Sequence, residues 1–379
     1  MSSKLFQLVK VGKMTLQNRV VLAPMSRMRA SKAHVPHLPI VKDYYVQRAH
    51  TPGTFLVSEA TFIAAKAGGM DHAPGIWSDE QIEVWKQARI HVFPSVFPLS
   101  KFHQVTDAVH EKGCFIYCQL WALGRAGNPE ILDREGFPYV SASDVPLTGR
   151  SRAPRPLTVD EIKEYPGIYA QAALNAVKAG FDGVEINGAH GHLLDQFTRD
   201  AANTRTDEYG GSIENRVRFP LEVIEAVVKA VGAERTAYRI SPWNGFQDMN
   251  MKEPKPTFAH LVSQIKSQHP DLAYLHIIEP RIFGNFDRET VGADEENDFI
   301  REIWAPKTLI AAGGYNRQTA MEAADKTNDL IAFGRHFVSN PDLVLRLQKD
   351  VPLSPYKREL FYLADHHPEG YTDYPFAEA

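Results

Sequence analysis

LTVDEIKEYPGIYAQAALNAVKAGFDGVEING, Leu157 to Gly188, carries a helix, a stop and an apolar run in one unit. Thr158 stands where an N-cap hydroxyl is needed, Glu161 follows three residues later as its capping-box partner, and Gly180 supplies the stop. GVEING (183–188) then belongs to a set of short, β-branched-rich runs spread along the whole chain. Before it come RVVLAPM (19–25), TFLVSEATFI (54–63) and CFIYCQLW (114–121). After it come TAYRISP (236–242), LAYLHIIE (272–279), TLIAAGG (308–314) and LIAFGRHFV (330–338). These runs are too continuous for half-exposed strands and suit parallel strands covered on both faces. Helical patterns lie between them, one opening at Ser212 before IENRVRFPLEVIEAVVKAVG. Eight strand-helix repeats predict a (β/α)8 TIM barrel, with a doubly wound open sheet as the structural rival.

A chain of 379 residues has room for two ordinary domains, yet a barrel with insertions reaches this length as one, so residues 1–379 are read as a single domain. An N-terminal segment is expected to close the barrel. Residues 122–155, rich in Gly and Pro with short β-like pieces such as FPYVSAS and no clear helix, are expected to cap its mouth. Residues 88–104, ARIHVFPSVFPLSKFHQ, do not fit their surroundings. They interrupt what is otherwise one helix: joining Gln87 to Val105 aligns Ile82, Trp85, Val105, Ala108 and Val109 at helical spacing. The segment reads as an atypical insertion, and translated intron sequence is one hypothesis for it.

Hydrophobic residues at 44% and charged residues at 23% fit a globular protein with a large core. A net charge of −4 and the absence of any Lys/Arg run exclude a basic field for nucleic acid or anionic lipid. The expected partners are small molecules, with no nucleic acid, no membrane, and a monomer or homodimer as the assembly. Cys114 and Cys118 are the only cysteines; strand geometry holds them about 13 Å apart, too far for a disulfide. A cytoplasmic location is expected.

In such a barrel the active site lies at the carboxyl ends of the strands, so polar residues there are informative. Ser26 follows strand one, Gln119 lies in strand three, and Asn187 and His190 end strand four. Arg239 lies in strand five, Gly313 and Gly314 end strand seven, and Gly334 and Arg335 sit in strand eight. Singly, each is more often a paired structural group than a ligand contact; convergence on one mouth shifts that balance. The two glycines let backbone N–H groups approach a phosphate that Arg335 can clamp bidentately. Arg239 supplies a central positive charge, and Gln119 a donor and an acceptor for a heterocycle edge. That set suits a planar anionic cofactor, flavin mononucleotide (FMN).

The motifs RMRA after APMS, YYVQRAHTPGTFLVSEATFI, HAPGIWSDEQ, CQLWALGRA, SASDVPL, GFDGVEINGAHGHLLDQF, NTRTDEYGGSIENRVRF, RISPW, HIIEPR, FGRHFVSNPDLVLRL and GYTDYP carry a resemblance. Together they closely resemble the old yellow enzyme family of flavin-dependent ene-reductases, in a fungal-like form, over nearly the whole chain apart from residues 88–104. The resemblance implies one FMN at the mouth of a single barrel. It places Ser26 at the position of a family Thr or Cys that hydrogen-bonds flavin O4, with Pro24, Met25 and Ala60 lining the ring. Gln119 takes the pyrimidine edge, Arg239 the N1 and O2 side, and Gly313, Gly314, Gly334 and Arg335 the phosphate. Trp121, Phe246, Phe286, Phe361 and Tyr362 fall where family members line the substrate pocket. The implied activity is NAD(P)H-dependent reduction of the activated C=C bond of an enone, enal or nitroalkene. NAD(P)H reduces FMN and leaves, hydride passes from flavin N5 to the β-carbon, and kinetics are ping-pong.

At the carbonyl-holding corner the chain departs from the pattern. The family places His-x-x-Asn or His-x-x-His there, often with Tyr two residues later. Here the order is Asn187-x-x-His190 with His192 in the Tyr position. The donor pair survives in exchanged order, to hold the substrate oxygen as charge develops on it. As the acid, His192 either donates as imidazolium or hands the proton to water. Two other readings stand beside this one: a metal site from His190, His192 and Asp195, and an FMN-binding barrel serving as an isomerase or having lost ene-reduction.

Overall fold

A computed structural model describes residues 3–86 and 105–377. Eight parallel strands form its centre: β1 (Val20–Leu22), β2 (Phe55–Val57), β3 (Phe115–Trp121), β4 (Gly183–Gly188), β5 (Thr236–Ile240), β6 (Tyr274–Ile278), β7 (Leu309–Ala312) and β8 (Leu330–Phe333). Each pairs with its neighbour in order, and β8 returns to β1 through Ala332 opposite Val21. The ring is closed, so the open doubly wound sheet is excluded.

The unit from Leu157 to Gly188 folds as its sequence dictates. Helix Val159–Lys178 starts at a two-way capping box, with the Thr158 Oγ1 accepting from Glu161 N at 3.2 Å and Glu161 Oε2 accepting from Thr158 N at 2.8 Å. Its Ile162, Tyr165, Tyr169, Ala172, Ala173 and Ala176 are buried against the barrel and the neighbouring helix Ile213–Val231. Gly180 takes φ +88°, the left-handed turn that sends the chain back into β4.

The antiparallel hairpin Val9–Val11 and Met14–Leu16 closes one end of the barrel. Val11, Met14 and Leu16 join one apolar cluster with Val21, Phe55, Tyr117, Tyr274, Ile310 and Leu330 from six strands. The run 54–63 is not one strand: β2 ends at Val57, and a short strand, Thr61–Phe62, resumes beside Leu120 and Trp121.

Residues 122–155 hold more regular structure than the sequence suggests. A helix, Pro129–Glu135, is capped by Asn128 and ended by Gly136 at φ +79°, and Val140–Ser141 pairs with Arg155–Pro156. The segment packs on the short helix after β4, Leu193–Thr198, where Ser141 Oγ donates to Gln196 Oε1 at 2.8 Å. None of its described residues lines the cavity at the barrel mouth.

The anomalous segment 88–104 lies outside the described residues. Its flanks do not: helices Asp79–Trp85 and Val105–Glu111 meet where Thr106 Oγ1 lies 3.0 Å from the carbonyl oxygen of Trp85. No helix among the described residues is long and apolar enough to cross a membrane.

Candidate active site

Strand periodicity decides which side chains reach the barrel axis. The register places Gln119 beside Glu185, Asn187 beside Arg239, and Arg239 beside His276, so β3 to β6 contribute neighbouring polar groups. A cavity of about 500 Å³ opens at the carboxyl ends of the strands. Pro24, Met25, Ser26, Ala60, Gln119, Arg239, Gly313, Gly314, Gly334 and Arg335 all line it, and so do Trp121, Asn187, His190, His192, Phe246 and Tyr362.

Two aromatics expected there lie elsewhere. Phe286 is 52% exposed at the tip of a hairpin, Ile282–Phe283 with Phe286–Asp287, and its ring lies 4.2 Å from the Arg358 guanidinium. The hairpin turns this ring outward, whereas the same loop gives Ile282, Gly284 and Asn285 to the cavity wall. Phe361 is buried behind the wall under the guanidinium of Arg27. Its neighbour Tyr362 does line the cavity, and its hydroxyl accepts from Asn285 Nδ2 at 3.0 Å.

Tyr362 is held there by arginines. The Arg27 guanidinium donates to the carbonyls of Phe361 and Gly370, Arg29 to those of Leu363 and His367, and Arg48 to that of Tyr371. All three arginines are buried, and every one of these acceptors is a main-chain oxygen.

The turn after β4 is equally determined. His190 takes φ +57°, an uncommon conformation for a residue with a side chain, and its backbone N–H donates to Ser241 Oγ at 2.9 Å. Gly191 N donates to Asp195 Oδ2 at 2.9 Å, and Arg199 Nε donates to Asp195 Oδ1 at 2.7 Å. Asp195 is thus committed to Arg199 and the turn, so the trio with His190 and His192 is not assembled as a metal site.

Held this way, His190 Nε2 and His192 Nδ1 are buried nitrogens with no partner inside the protein. His192 stands edge-on to Trp121 with ring centroids 4.8 Å apart. Burial and then the positive charge of Arg239 push the His192 imidazole down to about 3, and the same two causes hold His190 well below the usual range. Both rings are neutral near neutral pH, which removes the imidazolium as a proton donor. Asn187 Nδ2 donates to Gln119 Oε1 at 3.2 Å, and Asn187 Oδ1 accepts from Ala189 N at 3.1 Å.

At the far side, Gly313 and Gly314 take φ +138° and +62°, where a side chain would be strained. A Cβ on Gly314 would come within 3.2 Å of Asp287 Oδ1. The same carboxylate takes two hydrogen bonds from the Arg335 guanidinium, at 2.5 and 2.6 Å. A carboxylate sits against the paired glycines and the arginine fork as a phosphate would, so these residues fit the phosphate of FMN.

Several groups at this mouth escaped the sequence reading. Glu185, Tyr274 and His276 form a buried polar layer, and Asp287 occupies the anion cradle. Period-two alternation was the available signal: Glu185 precedes Asn187 by two residues, and Tyr274 precedes His276 by two.

A closed parallel barrel with paired glycines and an arginine fork at β7 and β8, a buried arginine at β5 and amide and imidazole groups at β4 suits a flavin-dependent oxidoreductase. The sequence profile of the NADH:flavin oxidoreductase / NADH oxidase family matches residues 4–92 and 97–354, and the chain belongs to that family, that of the old yellow enzymes. It is similar to the chanoclavine-I aldehyde reductase fgaOx3 of Penicillium roqueforti (strain FM164), 48% identical over 99% of this chain and 97% of that protein. It is also similar to easA of Claviceps fusiformis, described as a probable inactive dehydrogenase, 42% identical over 100% of this chain and 96% of that protein. Among solved structures, the Old Yellow Enzyme from Pichia sp. AKU4542 matches with a TM-score of 0.86 at 36% identity, over 99% of this chain and 94% of that one. The cofactor is FMN and the hydride donor NAD(P)H.

Proposed function

We propose that this chain reduces the activated C=C bond of an α,β-unsaturated carbonyl compound, with a fungal secondary-metabolic enal as its substrate. The observation that carries this reading is the unpartnered His190 Nε2 beside the Asn187 amide in the cavity wall. When bound and reduced by NAD(P)H, FMN would supply the hydride for the β-carbon. Ser26, Gln119 and Arg239 would hold its ring, and Gly313, Gly314, Gly334 and Arg335 its phosphate.

The chain's own residues orient and polarise the substrate. Neutral His190, as its Nε2–H tautomer, donates to the carbonyl oxygen. The Asn187 amide has two hydrogens, one engaged by Gln119, and the other completes the pair. As negative charge grows on that oxygen both bonds strengthen, where water is partly excluded. With no imidazolium proton to give, His192 Nδ1 instead orders a water that passes a solvent proton to the α-carbon and is itself reprotonated from bulk solvent. Trp121, Phe246 and Tyr362 supply the apolar wall, and the 48% identity to an aldehyde reductase supports an enal in particular.

The test is stopped-flow reoxidation of the NADPH-reduced protein by a panel of enals, enones and nitroalkenes. Rapid reoxidation by enals, slowed about 10²- to 10³-fold in His190→Ala, is the expected result. Reoxidation by oxygen alone, with every alkene inert, would favour the second reading, a flavin-binding isomerase. That reading draws on the weak acid at His192 and on the similarity to easA.

A further inference from the structure

Beneath the cavity floor lies a layer of the barrel that the reaction just described does not use. Glu185 on β4 is 0% exposed, and three neighbours donate to its carboxylate: Gln119 Nε2 at 2.6 Å, His276 Nδ1 at 2.8 Å and the Tyr274 hydroxyl at 3.0 Å. Arg239, on the adjacent strand, lies within electrostatic range, and its Nε is a buried donor without a partner. His276 Nε2 is likewise buried and unpartnered. A full negative charge is therefore built into the barrel core, next to the positive charge at its mouth.

We infer that Glu185 is a positioning residue that fixes the hydrogen-bonding face of Gln119 and offsets the charge of Arg239, so lowering the reduction potential of the FMN this site holds.

An ionised carboxylate only accepts, so the Gln119 atom against Glu185 must be its NH2 group. Gln119 Oε1 is then the atom that accepts from Asn187 Nδ2. Asn187 in turn is fixed because its Oδ1 takes Ala189 N–H. The buried anion thus sets the face that Gln119 offers to the flavin edge, and Gln119 in turn holds one Asn187 amide hydrogen and leaves the other for the substrate carbonyl.

The charge argument is independent of that chain. His276, donating through Nδ1, stays neutral, since burial lowers its proton affinity. The layer then contains one negative and one positive formal charge. Reduced flavin carries more negative charge than oxidised flavin, and an unmatched Arg239 would favour it strongly in a site of low dielectric. Glu185 cancels much of that preference. Burial acts to raise the Glu185 carboxyl, but its oxygens face three donors, and the hydrogen bonds from His276 and Gln119 together with the Arg239 charge hold it below its ordinary range, so the group is ionised.

The inference rests on the reading that Gln119 and Arg239 face FMN, and the experiment separates the two. FMN dissociation constants by fluorescence quenching and two-electron potentials by dye equilibration are measured for the native holoenzyme, Glu185→Gln, Tyr274→Phe and Arg239→Gln. Glu185→Gln keeps the shape and removes the charge. It should bind reduced over oxidised FMN at least tenfold more selectively than the native protein, a rise of about 30 mV for two electrons. Tyr274→Phe keeps the charge and removes one of its donors, so its potential should fall at least twofold in the same ratio. A change of less than twofold in Glu185→Gln, or a fall, overturns the inference. Where Glu185→Gln does not fold, Tyr274→Phe decides, and an unchanged or raised potential there overturns it. If Arg239→Gln alters neither FMN affinity nor potential, it is the placement of the flavin that fails.

Discussion

His192 stands where the family often has a tyrosine, and its surroundings decide what it can do. Enclosed with Trp121 and facing Arg239, it stays neutral down to about pH 3. Reoxidation of the reduced enzyme by an enal should therefore be flat from pH 5 to 9, and stopped-flow traces across that range measure it. His192→Phe should slow that step by less than about tenfold, well short of the 10²- to 10⁴-fold that loss of a general acid costs. A rate falling with pH around a value near 6 would restore the imidazolium. At the anion cradle, Asp287 holds Arg335, the arginine proposed for the FMN phosphate. Asp287→Asn removes a competing charge and should tighten FMN binding, by about two- to fivefold on the scale of one surface ion pair. Titration of the apoprotein with FMN measures it, and weaker binding would show that Asp287 supports the cradle instead of competing for it. The sequence revealed the cradle through its glycines and Arg335 but not Asp287, because the partner arrives from a loop 48 residues away.

The helix interrupted at residues 88–104 is the element whose sequence and structure speak most directly to each other. If Gln87 is joined to Val105, Thr106 becomes the fourth residue after Trp85. The Thr106 hydroxyl already lies 3.0 Å from the Trp85 carbonyl, the i to i+4 contact of a threonine in a continuous helix. A chain lacking residues 88–104 should fold, bind FMN and melt at a temperature no lower than the full chain, as thermal unfolding followed by flavin fluorescence will show. Loss of soluble protein on deletion would make the segment integral to the fold. The strands were legible because burial on both faces writes a continuous apolar run. Their ends were not: TFLVSEATFI reads as one strand, yet at Glu59 the chain leaves the ladder, its N–H donating to the Tyr45 hydroxyl. Phe286 was misplaced for a related reason, since an aromatic in a loop carries no periodicity to say which way it faces.

For the molecule as a whole, the polar mouth has a cost in acid. His190, His192 and His276 are all buried with lowered proton affinity, whereas in the unfolded chain each titrates near 6.5. Their contribution is fully present above pH 6.5 and is lost as pH falls toward the folded-state values. Each steepens the loss of stability by about 1.4 kcal/mol per pH unit in that window. Glu59, pushed up to about 7 by burial, acts oppositely between its unfolded value and pH 7. Comparing urea unfolding of the native protein and His192→Phe from pH 6 to 4 isolates one histidine. The difference in stability between the two should change by about 1.4 kcal/mol per unit, the variant losing less.

The three buried arginines beneath the C-terminal segment grip carbonyl oxygens, and a carbonyl is the same atom whatever side chain its residue carries. The path of residues 361–371 is thereby recorded in Arg27, Arg29 and Arg48 and in two buried rings at its ends, Phe361 and Tyr371. Tyr362, half exposed between them, can be exchanged for other side chains without loosening the strap that presents it. That rim of the cavity can therefore be reshaped by substitution at Tyr362 while the chain that carries it keeps its course.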